Sequence, residues 1–157
     1  MEKAYVRTPI GVLEIQGCAK GLASATFLNE DITIPKVIPE VLKEAVSQLQ
    51  EYFINKRTNF HLSLNPQGTD FQKKVWNKLS EIPFGKTVSY LDMAKALGDP
   101  KVIRAAASAN GKNPIAVIIP CHRVIGSDGS LTGYASGLHR KKWLLNHESP
   151  VTQTALF

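Results

Sequence analysis

Four turn-forming residues in a row, Asn65-Pro66-Gln67-Gly68, divide this chain into two stretches whose apolar residues repeat with different periods. Proline lacks a backbone N–H and glycine carries an entropic cost inside an element, so neither helix nor strand runs through such a segment. The chain could be one domain or two small ones, and this break is the best candidate for a linker between two. The 157 residues are enough for two small domains with real cores, and the expected boundaries are 1–66 and 67–157.

Before the break, Tyr5 to Ile15 reads as a hairpin turning at Thr8-Pro9-Ile10-Gly11. Gln16-Gly17 is a second turn signal, and Leu22 to Leu28 is a third strand. Pro39-Glu40 then opens an amphipathic helix carrying Val41, Leu42, Ala45, Val46, Leu49, Tyr52 and Phe53, which stops near Asn55. Phe60, Leu62 and Leu64 alternate with polar residues as one more short strand would. Cys18 reads as a partly buried structural thiol. This half is expected to be a small sheet covered by one helix, without a cluster of reactive groups.

After the break, Thr69 or Asp70 can cap a helix whose apolar face holds Phe71, Val75, Trp76, Leu79 and Ile82, stopped by Pro83-Phe84-Gly85. A second helix runs from Ser89 to about Leu97, with Gly98 ending it. A third runs from Lys101 to about Ala109. Two short helices joined by a tight glycine-containing turn match the helix-turn-helix pattern, whose second helix enters a DNA groove. Here that helix is rich in alanine, with Arg104 as the large cation in its middle. An alanine-rich packing helix explains this segment alone equally well. The fold class expected is α+β: a small N-terminal sheet with one helix, then a mainly helical C-terminal domain of winged-helix or helix-turn-helix type.

Composition narrows the function classes. With 43% hydrophobic and 20% charged residues the chain is globular. No apolar run spans a bilayer, and Met1-Glu2-Lys3-Ala4-Tyr5 leads into folded-looking sequence without a signal-peptide core, so a cytoplasmic location and no membrane partner are expected. Two cysteines outside any CxxC pair make no disulfide framework, and four scattered histidines lack metal-ligand spacing. The net charge of +6 hints at a polyanionic partner.

The chemistry concentrates in Pro120-Cys121-His122-Arg123-Val124, which follows the apolar run Ile115 to Ile119. That run reads as a short buried strand ended by Pro120, with the Cys121 thiol aimed out of the core. A cysteine beside a base or cation gains thiolate character, although such a tripeptide alone more often marks a core cysteine beside surface charges. A long loop from Ile125 to Gly137 follows, its glycines leaving backbone groups free to face a flat ligand. Leu138 to His147 resumes a helical pattern through Leu138, Trp143, Leu144 and Leu145. Glu148 at its end is either a solvated charge or the group that orients His122.

The Pro120 to Val124 segment, preceded by Asn110-Gly111-Lys112-Asn113-Pro114, resembles the signature of the O6-alkylguanine-DNA alkyltransferases, also called methylated-DNA–protein-cysteine methyltransferases. The resemblance runs from about Gly68 to Glu148 through Gly68-Thr69-Asp70-Phe71-Gln72, Val75-Trp76, Ile82-Pro83, Gly85-Lys86-Thr87, Ser89-Tyr90, Arg104, Tyr134 and Trp143-Leu144-Leu145. It implies DNA repair by direct reversal: Cys121 takes the alkyl group from guanine O6 and keeps it, so each molecule acts once. It further implies that His122 takes the thiol proton through a water, that Glu148 holds the imidazole, and that Asn113 stabilises the turn. Tyr90 would donate a proton toward guanine N3. Arg104 would fill the gap left by the flipped nucleotide, with Ala105 and Ser108 beside it on the DNA-binding helix. Tyr134 would wall the base pocket, and backbone groups near Val124 and Ala135 would read the guanine edge. The implied partner is double-stranded DNA containing alkylated guanine, met by a monomer without cofactor or metal, because the zinc ligands of some animal members have no counterpart beyond Cys18.

The chain departs from the pattern at Ala107, where glycine is frequent, at Ala106, where valine is common, and at Ala116, where a second proline is frequent. Two other readings compete: a non-catalytic helix-turn-helix regulator or lesion sensor, and a cysteine hydrolase using Cys121, His122 and Glu148.

Overall fold

The computed structural model describes residues 1–149 and separates the chain into two compact units. The first comprises Met1–Gln67 together with Pro114–Ile118; the second comprises Gly68–Asn113 and the described residues from Ile119 to Ser149.

The first unit is a three-stranded antiparallel sheet in the order β1 (Glu2–Thr8), β2 (Gly11–Cys18), β3 (Gly21–Phe27). The first hairpin turns at Pro9-Ile10, as expected. Gln16-Gly17 is not a turn: both residues pair within β2 while the register shifts by the extra residue Ala23 of β3, and the chain reverses at Ala19-Lys20, where Gly21 takes a positive φ of 131°. Helix α1 (Lys43–Phe53) follows a short 3-10 turn and covers β1. Its Leu49 and Tyr52 are buried with Leu13 and Ile15 of β2. Asn55 stops α1 in the left-handed conformation, φ 62°. Gln48, buried on α1, is fully employed: its Nε2 donates to Glu44 Oε1 and to the His61 carbonyl, and its Oε1 accepts from His61 N at 2.9 Å.

Two expected strands are absent. Phe60 to Leu64 contributes a single parallel bridge, Leu64 opposite Leu22, before Pro66 ends the pairing. Ile115 to Ile119 likewise makes one bridge, to Ala25. The chain then folds tightly, with Ile118 N donating to the Ala116 carbonyl at 2.8 Å around Val117, whose φ is 71°. That is a γ-turn in its rarer, strained hand, here with a β-branched residue at its centre. The apolar run is buried as a strand would be, but it spends its backbone on turns.

The second unit is mainly helical. Helix α2 (Asp70–Leu79) is capped by Thr69, not Asp70: Thr69 Oγ1 accepts from Gln72 N, and Gln72 Oε1 accepts from Thr69 N, a reciprocal capping box. Strand β4 (Val88–Ser89) leads into α3 (Tyr90–Ala96), capped the same way by Ser89 and Asp92. Gly98, at φ 99°, makes the reversal that a side chain would strain. After a 3-10 turn capped by Asp99 comes α4 (Ile103–Gly111). The indole N–H of Trp76 on α2 donates to the Ala109 carbonyl at 2.9 Å, fixing α4 against α2. Strand β5 (Val124–Ile125) pairs with β4 in parallel, Val88 opposite Val124, and α5 (Leu138–Glu148) closes the described fold. Among the described residues, no helix is long and apolar enough to cross a membrane.

Candidate active site

Cys121, His122 and Arg123 form one 3-10 turn between Pro120 and β5. Pro120 lies at the centre of a second γ-turn, φ −82° and ψ 61°, in which Cys121 N donates to the Ile119 carbonyl at 2.8 Å. Asn113 Nδ2 donates to the same carbonyl, also at 2.8 Å. Because β5 pairs with β4, this turn is stitched to the start of α3, which carries Tyr90.

The thiol is buried, contrary to the expectation that it would point out of the core. A strand end would have released it, whereas the tight turn wraps it. Burial raises the thiol's pKa, while the Asn113 side chain and the Lys141 charge pull the other way without prevailing. The resting group is therefore a neutral thiol. Tyr134, from the loop, places its hydroxyl close enough to the thiol to act on it electrostatically but completes no hydrogen bond, and burial holds that phenol protonated.

His122 is fully buried, and its Nε2 lies 2.8 Å from Glu148 Oε2. Arg123 grips the same carboxylate, Nε on Oε1 at 2.8 Å and Nη2 on Oε2 at 2.9 Å. Burial alone would push Glu148 up, but the bonds and charges of His122 and Arg123 outweigh it and bring the carboxyl down to about 2. Burial lowers the His122 pKa, more than Glu148 restores it, so the ring is neutral near neutral pH. An ionised carboxylate can only accept, so Nε2 carries the ring proton. Nδ1 is then the basic nitrogen; it is buried and meets no hydrogen-bonding partner in the described protein.

Two groups that the sequence reading left out belong here. Arg123 is not a surface cation but is buried on Glu148. Lys141 is also buried; its Nζ donates to the Thr132 carbonyl at 2.7 Å and sits 5.9 Å from the centre of the Tyr90 ring. Arg140 Nη1 donates to the Ser136 carbonyl at 2.9 Å, so α5 pins the glycine-rich loop at two points. Lys141, Leu144 and Glu148 share one face at helical spacing. The buried face of α5 is thus largely charged, while Leu138, expected to be apolar packing, is exposed.

Arg104, Ala105 and Ser108 lie together on the exposed face of α4, whereas Ala106 and Ala109 are buried. One face of this helix therefore packs, and the other is exposed. Ala106 meets the interior, so its departure from the commoner valine concerns packing, and Ala107 is half-buried between the faces. Val124 is buried in β5, and Ala135 is exposed beside Tyr134 in the loop. No group of three His, Cys, Asp or Glu that could hold a metal occurs among the described residues.

Two family descriptions match the chain: the ribonuclease-like domain of 6-O-methylguanine DNA methyltransferase over residues 1–66, and the DNA-binding domain of the same protein over residues 70–150. This chain belongs to the 6-O-methylguanine DNA methyltransferase family. A methylated-DNA–protein-cysteine methyltransferase of Methanosarcina barkeri is 50% identical over 148 residues, covering 91% of this chain and 94% of its own. One of Mycobacterium tuberculosis is 42% identical over 147 residues, covering 91% and 89%. The M. tuberculosis OGT crystallised in complex with DNA superposes with a TM-score of 0.85 at 40% identity, covering the whole of both chains. The Methanococcus jannaschii O6-methylguanine DNA methyltransferase gives 0.64 at 30% identity, covering 96% of this chain and 91% of that one.

Proposed function

We propose that this protein repairs DNA by moving an alkyl group from guanine O6 to the Cys121 sulfur, one transfer per molecule. The observation that carries the reading is the buried line Cys121, His122, Glu148, in which an ionised carboxylate leaves His122 Nδ1 as the base. In the transfer, Cys121 Sγ attacks the alkyl carbon, an S–C bond forms and the C–O6 bond breaks. The thiol proton passes through a water to His122 Nδ1, and the resulting imidazolium is stabilised by Glu148. Guanine leaves as its neutral form by taking a proton at N3 from Tyr90. The imidazolium then returns its proton through solvent to the Tyr90 phenolate, so the net change is one proton moved from sulfur to guanine. Asn113 and Lys141 stabilise charge developing on the sulfur, which is worth more in a buried site than in water.

A base within a duplex hides its O6, so the lesion must leave the stack at a cost of about a few kcal/mol. The exposed face of α4 meets the groove through Ala105 and Ser108, and Arg104 occupies the gap. Tyr134 walls the base pocket, while backbone groups near Val124 and Ala135 read the guanine edge. Residues 1–66 act as scaffold, and residues 67–157 carry DNA binding and transfer. The protein works as a monomer in the cytoplasm, where the chromosome it repairs lies, and needs neither cofactor nor metal.

The test is an intact-mass measurement after incubation with duplex DNA containing O6-methylguanine. One added methyl group, mapped to the Cys121 peptide, is the expected result. An unchanged mass with substrate in excess would refute the reading.

A further inference from the structure

Arg123 makes more of the site's bonds than any role assigned above requires. Two of its nitrogens take both oxygens of Glu148, and its third, Nη1, donates to the Ile82 carbonyl at 2.6 Å. Its guanidinium also sits 5.8 Å from the centre of the Phe84 ring. Ile82 and Phe84 belong to the turn between α2 and β4, the segment that delivers the chain to Tyr90 and the helix pair. The fork geometry matters because a planar guanidinium fixes a carboxylate in orientation as well as in charge, which an ammonium cannot do.

We propose that Arg123 is a positioning residue for the transfer: by holding Glu148 ionised and oriented against a carbonyl of the α2–β4 turn, it fixes the His122 tautomer that leaves Nδ1 as the base. The proposal rests on the transfer reading and adds a fourth member to its Cys121–His122–Glu148 line. Without Arg123 the buried carboxyl group would lose two of the charged hydrogen bonds that oppose its desolvation. It would then take up a proton at higher pH. A protonated carboxyl can donate, the His122 Nε2 would accept, and the ring proton would move to Nδ1. The base that the transfer reading places at Nδ1 would be lost although Cys121, His122 and Glu148 were all still present.

Charged and titratable groups reach Glu148 from several elements. His122 and Arg123 face it from the 3-10 turn, and Tyr134 acts on it from the loop. Lys141, on the same helix as Glu148, adds its charge at His122 and Cys121. Of the two cations, only Arg123 touches the carboxylate.

The experiment compares the full-length protein with Arg123→Met and Arg123→Lys, by ¹⁵N NMR of histidine-labelled samples and by the pH dependence of Cys121 methylation on O6-methylguanine duplex. The NMR readout needs no substrate, so it stands even if the transfer reading fails. The unsubstituted protein should show His122 protonated at Nε2 alone near neutral pH. In Arg123→Met the Nδ1–H form should appear as pH falls, and methylation should drop about tenfold or more at pH about 6, recovering toward alkaline pH. Arg123→Lys keeps the charge without the fork and should restore part of the rate and most of the pH profile. An unchanged tautomer together with an unchanged pH profile in Arg123→Met would overturn the proposal.

A lone buried carboxylate can prevent folding, so the charge-neutral pair Arg123→Met with Glu148→Gln provides a second test. The His122 tautomers should be mixed in that protein, with no alkaline recovery of transfer. A pure Nε2–H ring and a normal rate in the pair would equally overturn the proposal.

Discussion

Each unit of this protein holds one cysteine in the company of a histidine and a glutamate. Cys18 ends β2 and lines a cleft of about 300 Å³ together with His61 and Glu44. Cys121 sits in a 3-10 turn with His122 and Glu148. The residue types are the same and the chemistry is not. His61 and Glu44 are exposed, Glu44 is engaged by Gln48, and among the described residues no hydrogen bond fixes either of them toward Cys18. Around Cys121, by contrast, the imidazole, the carboxylate and two cations are all buried, and the carboxylate is held from two sides. A cluster acts as a reagent when burial makes its charges interact strongly and hydrogen bonds fix the proton positions.

The largest effect should come from Cys121→Ser. Transfer should vanish entirely, while affinity for lesion duplex, measured by fluorescence anisotropy, should stay within about threefold because the α4 face is untouched. Methyl transfer by that variant would break the comparison by moving the chemistry to Cys18. Next in size is the acid stability of the second unit. An unfolded chain protonates histidine near 6.5 and glutamate near 4.5, and both groups bind protons only at lower pH in the folded protein. Folding stability should therefore fall as pH drops below about 6.5 through His122, and further through Glu148 between about 4.5 and 2. The Glu148 part is on the order of 3 kcal/mol. On the alkaline side the thiol ionises later than its ordinary 9.0, so stability should also fall above that pH. Thermal melts across pH check both limbs, and Cys121→Ser should soften only the alkaline one.

The helix pair and the start of α2 were legible because they are local. Gly98 punctuates, Thr69 or Asp70 offers a cap, and apolar residues recur at helical spacing. The run Ile115 to Ile119 misled for a physical reason: a buried turn and a buried strand exclude water equally, and hydropathy cannot separate them. Nothing in the residue types announces a positive φ at Val117. The charged face of α5 escaped for the opposite reason. Lys141, Leu144 and Glu148 recur at the spacing of a buried stripe, but Lys and Glu are counted as solvent-facing unless their partners are known. Their partners, Thr132 and the His122–Arg123 pair, come from other segments.

Arg104→Ala addresses the exposed face. It should slow repair of a duplex about tenfold or more, while leaving dealkylation of a free O6-alkylguanine base nearly unchanged, because only the duplex has a gap to fill. Single-turnover rates on the two substrates measure this. Equal losses on both would mean that Arg104 acts on the reaction centre rather than on the DNA.

The smallest effect should be that of Cys18→Ser. The exchange keeps the side chain's size closely and adds a hydroxyl at a half-buried strand end, where solvent can satisfy it, so stability should move by less than about 1 kcal/mol. Methylation of Cys121 should proceed at the unsubstituted rate. A harder form of the test exposes both proteins to a small thiol-alkylating reagent. Cys18, beside an open cleft, should react first, because Cys121 is buried and burial holds its thiol protonated. The lesion base should reverse that order, reaching Cys121 alone. A reagent that prefers Cys18 and a damaged base that prefers Cys121 would show that selectivity lies in delivery of the substrate to a site that activates its thiol only during the transfer. Preference of both for Cys121 would instead mean that the resting thiol is already ionised and open.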